Sequence, residues 1–87
     1  MKINDRLKAM ETKTGLKLEA LPKGATHQVG KTYYDSYWGQ TYEVLDFKIL
    51  ANHWMEWVVT CRWKDGRITR HCTSLDPESD FLVLIDL

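Results

Sequence analysis

The chain has 87 residues, 44% of them hydrophobic and 11% aromatic. That gives room for one domain with one modest core and too little for a substrate pocket plus a cofactor domain, which points away from an enzyme. Twelve Lys and Arg balance twelve Asp and Glu, so the chain lacks the basic excess of a polyanion binder.

The balance conceals a gradient. Residues 1–31 carry seven bases against three acids, and the remainder is correspondingly acidic. No apolar run approaches membrane-spanning length, and no basic segment followed by an apolar one marks a signal peptide. With only two cysteines, a disulfide framework is not expected and a reducing compartment is, which places the chain in the cytoplasm.

In chain order, Asn4 is positioned to cap a short helix. Ile3, Leu7 and Met10 lie on one face, Asp5 in the first turn, Lys13 in the last and Gly15 just beyond. Leu16 to Leu21 reads as an extended piece or first strand, closed by a Pro22-Lys23-Gly24 turn. Val29 to Tyr34 is a strand, Asp35 to Gly39 an aromatic-rich loop, and Gln40 to Leu50 a long strand. In that last strand Tyr42 and Val44 share one parity, while Leu45, Phe47 and Ile49 take the other, which predicts a bulge near Leu45-Asp46. Ala51-Asn52-His53 is a turn.

The clearest stretch is Met55 to Thr73, a β-hairpin. Met55, Trp57, Val59, Cys61 and Trp63 alternate with Glu56, Val58, Thr60 and Arg62, so one face is buried and the other mostly wet. Asp65-Gly66 supplies the positive-φ turn. Leu75 to Asp80, with Pro77 and three acids, favours a helical turn, and Phe81 to Ile85 is a closing strand. The expected fold is mainly β (α+β). A single domain 1–87 carries an N-terminal helix (1–15), then a body (29–87) that resembles a five-stranded SH3-like barrel or strongly bent antiparallel sheet, with the helix plugging or covering one open end. An open antiparallel sheet with the helix on one face is the rival.

Turn length decides whether the cysteines meet. A two-residue Asp65-Gly66 loop pairs Val59 with Cys72 and sets Cys61 and Cys72 on one face as diagonal neighbours. A three-residue loop with Gly66 in a bulge moves Cys72 to the other face. In the first register Cys61 and Cys72, with His53 and His27 able to approach them, form a candidate tetrahedral zinc site that would brace a small core. His71 enters that set only if the register differs. No Cys-x-x-Cys and no His-x₃₋₅-His occurs, and the plain alternative is that the cysteines are small buried hydrophobes.

Tyr33, Tyr34, Tyr37 and Trp38 fall within six positions, as a binding platform for a peptide or base or as packing over a barrel end. Arg62, Lys64, Arg67 and Arg70 surround the hairpin tip. Beside aromatic rings they suit phosphate contact, yet the nearby acidic tail suits mixed-charge protein recognition better.

The string Val29-Gly-Lys-Thr-Tyr-Tyr-Asp-Ser-Tyr-Trp-Gly-Gln-Thr-Tyr-Glu-Val44, with Asp65-Gly66, His71-Cys72-Thr73 and Leu75-Asp76-Pro77, resembles small proteins encoded by phages and prophages of low-GC Gram-positive bacteria. The resemblance implies an accessory protein that binds and blocks a host protein, with an anti-CRISPR inhibitor of a Cas nuclease as its most concrete form. The expectation is therefore a non-enzymatic inhibitor that engages its partner through the aromatic loop and basic hairpin, with a structural zinc as an option. A nucleic-acid-binding barrel is the alternative, and a small metal-dependent enzyme the third reading.

Overall fold

A computed structural model describes residues 3–49, 57–72, 75–76 and 78–84. One helix, α1 (Ile3–Thr14), precedes six strands: β1 (Lys17–Ala20), β2 (Thr32–Asp35), β3 (Gln40–Ile49), β4 (Trp57–Trp63), β5 (Ile68–Cys72) and β6 (Asp80–Leu84). Asn4 falls inside the first turn of α1 instead of capping it. The other end stops as the sequence implies: Gly15 takes φ +71 and its N–H closes on the Glu11 carbonyl at 2.9 Å, a left-handed stop that a side chain would strain.

The strands form one antiparallel sheet in the order β1-β6-β2-β3-β4-β5. Its outer strands, β1 and β5, do not pair with each other. The SH3-like barrel of five strands is thus replaced by an open sheet of six. The extra member is Lys17–Ala20, whose pairing with β6 extends the body back beyond residue 29. The closing strand caused this difference, because it inserts between β1 and β2. There its fully buried Phe81 is covered on both sides, which suits a run too apolar for an edge.

The sheet is buried on different faces at its two ends. Leu18, Tyr34, Phe81 and Val83 form one cluster, covered by Leu7 and Met10 of α1 and by Leu16. The helix therefore lies on a sheet face and plugs no barrel end. On the other face Tyr33, Tyr42, Val44, Val59, Cys61 and Leu75 form the second cluster, with Leu21, Ala25, Phe47, Trp63 and Leu82 against it. Removing a side chain such as Phe81 from water contributes about 1.5–3 kcal/mol.

Two irregularities set the register. The β3–β4 pairing shifts between Val44 and Asp46, the expected bulge at Leu45, which lets both Val44 and Phe47 face the same core. In the hairpin, Arg62 pairs with Ile68, Cys61 with Thr69 and Val59 with His71. Trp63 and Arg67 close the loop, with the Trp63 N–H donating to the Arg67 carbonyl at 2.8 Å. The loop is thus Lys64-Asp65-Gly66, with Gly66 at φ +90, a turn followed by a glycine bulge. The two-residue turn does not form. Asp65 explains the choice: its carboxylate accepts the Arg67 N–H at 2.9 Å, fixing the turn one residue earlier than Asp-Gly alone suggests. Leu50 to Glu56, with the turn at Ala51-Asn52-His53, lies outside the described residues, as do Thr73, Ser74, Pro77 and Ile85. Among the described residues no helix is long and apolar enough to cross a membrane.

Candidate functional site

The three-residue hairpin loop redistributes the candidate residues. Cys61 and Cys72 stand on opposite faces, Cys61 buried and Cys72 exposed, so they cannot share a metal ion. His53 lies outside the described residues, and no group of three or more His, Cys, Asp or Glu among the described residues is arranged to hold one. The same slip carries His71 to the face of Cys61. Burial, with Asp80 nearby, pushes the Cys61 thiol up to about 11, so it stays protonated near neutral pH and is a poor ligand or nucleophile.

The aromatic cluster divides in the same way. Tyr33 and Tyr34 are 2% and 3% exposed and belong to the two cores; they are no platform. Tyr37 and Trp38 are 80% and 66% exposed in the turn between β2 and β3. Their rings meet edge to face at 5.2 Å with an 88° interplanar angle, so they present one ridge and not two parallel stacking faces. Asp35 at the end of β2 holds this turn: its Oδ1 accepts the N–H groups of Tyr37 and Trp38 at 2.9 and 3.1 Å, and its carbonyl accepts that of Gly39 at 2.8 Å.

The four bases do not form one ridge either. Arg62 and Arg70 point from the face opposite Trp63, by the alternation of β4 and β5. There Arg62 reaches Glu43 at 3.2 Å, a cross-strand pair worth little at this exposure. Lys64 sits in the turn. Only Arg67 shares the face of Trp63, its guanidinium carbon 5.9 Å from that ring's centroid, a contact of about 0.5–1 kcal/mol at an exposed site. These four bases therefore make no continuous track along which a phosphate backbone could run.

A cleft of about 450 Å³ opens between these two turns, lined by Asp35, Trp38, Gln40, Trp63, Arg67, Thr69 and His71. The register builds it. Asp35 is paired with Gln40 on one side and Asp80 on the other, Tyr42 faces Trp63, and Thr69 fixes the Trp63 ring by accepting its Nε1–H at 2.8 Å. Asp35, Trp63 and His71 also line a smaller cavity of about 50 Å³ whose remaining walls are His27, Tyr42, Cys61 and Asp80. It forms the inner end of the cleft.

That inner end concentrates buried polar groups. Asp80 is 6% exposed; its Oδ2 accepts the Asp76 N–H at 3.0 Å, and its Oδ1 has no hydrogen-bond partner. Burial raises its carboxyl from 3.8 to about 6, with Asp35 and Asp76 adding like charge and the Asp76 N–H and Tyr42 hydroxyl opposing. His27, 4% exposed, packs against the rings of Tyr33, Tyr42 and Phe47 at 5.7, 6.1 and 5.6 Å, and its Nδ1 likewise lacks a partner. Burial, then His71, lowers it to about 4, so the imidazole is neutral at physiological pH. Burial first, then Asp80, also drives the Tyr42 hydroxyl well above its ordinary value.

Asp35, Gln40, Tyr42, Trp63, Thr69 and Asp80 carry the cleft but do not stand out in the sequence as site residues. Asp80 had one signal: a carboxylate opening an otherwise apolar strand run. His27, suspected as a metal ligand, instead lines the inner cavity. Comparison with protein-family models, curated proteins and solved structures found no match.

Proposed function

We propose that this chain is a small non-enzymatic binding protein that engages a protein partner through the cleft between the β2–β3 turn and the β4–β5 hairpin. The observation that carries this reading is the exposed Tyr37–Trp38 pair beside a cleft whose opposite wall is Trp63 with Arg67 over it. Tyr, Trp and Arg around a concave centre are the residue types that dominate protein–protein binding energy. An aromatic exposed this far on so small a surface is better explained by recognition than by core building. The resemblance to phage-encoded accessory proteins gives the partner the class of a host protein, with a Cas nuclease as the concrete case, and blocking as the effect.

The test is a selection of peptides from a random displayed library on the wild-type chain, followed by affinities against Trp38→Ala and Arg67→Glu. Selected peptides should lose at least tenfold in affinity to both variants. Peptides that bind all three proteins equally would remove the cleft from the reading.

A further inference from the structure

The inner end of the cleft contains a carboxylate whose charge is unanswered. Asp35 and Asp80 are register partners, Asp76 lies close enough to Asp80 to raise its carboxyl, and among the described residues no cation forms an ion pair with any of the three. No nearby group answers them: His27 is neutral, Arg67 rests on the Trp63 face, and His71, which lines the same cavity, is exposed and makes no ion pair with these carboxylates. The Asp80 Oδ1 is buried with no well-formed hydrogen bond, although the Tyr42 hydroxyl favours the ionised carboxylate, and it borders a cavity of about 50 Å³, room for a group of one or two water volumes. Tyr42 and Trp63, with ring centroids 5.1 Å apart, form its aromatic wall.

We propose that this inner cavity is a lysine pocket: the partner's lysine side chain passes between Trp38 and Trp63 and places its ammonium against the Asp80 carboxylate. This rests on the cleft being the partner-binding site and names the side chain that enters it. A buried carboxylate with an idle acceptor has already lost its hydration in the unbound protein, so an arriving ammonium gains the attraction without that cost being incurred on binding. The aromatic faces add attraction for a cation and none for a neutral chain of the same shape. The cavity's size favours an ammonium over the broader, planar guanidinium, and its acidic floor disfavours an anion. An ammonium against Asp80 also favours the ionised carboxylate, so binding strengthens as pH rises through 6.

The probe is Nα-acetyl-lysine methylamide, titrated into the ¹⁵N-labelled chain and followed by NMR. Saturable shifts are expected at the Trp63 indole N–H and at the backbone of Gln40 and Asp80. The norleucine analogue, which lacks the ammonium, should give none of these, and Asp80→Asn should weaken the lysine probe at least tenfold. Binding should be about tenfold weaker at pH 5 than at pH 7.5, and should remain so in His71→Gln, which separates Asp80 from the exposed imidazole. Equal response to norleucine, undiminished binding to Asp80→Asn, a tighter fit for the arginine analogue, or no saturable shift at all would each overturn the lysine pocket. The selected peptides separate this failure from failure of the broader reading. Peptides that depend on Trp38 yet carry no essential lysine keep the cleft and refute the pocket, whereas peptides indifferent to Trp38 refute the cleft.

Discussion

Replacing Asp80 with asparagine should stabilise the protein, and only above acidic pH. In the folded chain the Asp80 carboxyl stands near 6 against an ordinary 3.8, a difference that corresponds to about 3 kcal/mol. For an acid with a raised folded value, the cost falls on the ionised form: it is absent below pH 3.8, grows as pH rises through 6 and is complete above that. His27 runs the other way. Its value falls from 6.5 to about 4, so the folded state resists its protonation, and that cost is absent above pH 6.5 and grows as pH falls through 4. Between pH 4 and 6 the two slopes oppose each other and wild-type stability should be nearly flat. Asp80→Asn keeps an acceptor for the Asp76 N–H and removes the charge, leaving the His27 slope exposed. The variant should match wild type near pH 3.5 and exceed it by about 2–3 kcal/mol at pH 7.5, or roughly 10 °C or more in Tm. Urea unfolding by tryptophan fluorescence across this pH range measures the difference. A variant less stable than wild type at pH 7.5, or a gain that does not change with pH, would refute an unanswered charge at Asp80.

Three further outcomes follow from the same geometry. Ellman's reagent should titrate one thiol rapidly in the native chain, Cys72, and two after denaturation, because Cys61 is buried and held protonated; two equally fast native thiols would contradict the hairpin register. Gly66→Ala should cost about 1–2 kcal/mol in urea unfolding, since φ is +90 while no atom lies within 4 Å of the added Cβ, and Gly66→Asn should recover part of it. An alanine without cost there would speak against the glycine bulge. Trp38→Ala should change stability by less than about 0.5 kcal/mol, given the ring's 66% exposure, so that any loss of binding reports on the surface; a loss of several kcal/mol would mean the ring is part of the core.

The elements were legible wherever local chemistry governs them. The left-handed glycine after α1, the bulge forced by the parity switch at Leu45 and the alternation of Val59 and Cys61 against Thr60 and Arg62 all follow from residues within a few positions. What was not legible depends on pairing across the chain. No local signal says that Phe81 to Leu84 inserts between β1 and β2, and that insertion opens the expected barrel into a sheet and gives Lys17–Ala20 a partner. It also sets Asp80 beside Asp35, 45 positions earlier in the chain, so the acidic floor is a product of topology. Tyr33 and Tyr34 look the same as Tyr37 in sequence, but the pairing of β2 on both edges buries the first two and leaves the third in a turn.

The hairpin loop shows how little separates these outcomes. With a two-residue turn, Val59 would face Cys72, and the buried side of β5 would present Arg70 and Cys72 toward Cys61. The Asp65 carboxylate, by accepting the Arg67 N–H, adds one residue to the loop and inverts the whole strand. Thr69 then lies under the Trp63 indole, His71 enters the cleft, and Arg70 and Cys72 turn outward. One added residue in a surface turn, held by the Asp65 carboxylate, the backbone bonds of Trp63 and the positive φ of Gly66, thereby exchanges a dithiol arrangement for an aromatic wall braced by a threonine. The loop thus sets which side of β5 faces the cleft, whereas the acidic floor comes from the pairing of β6 with β2.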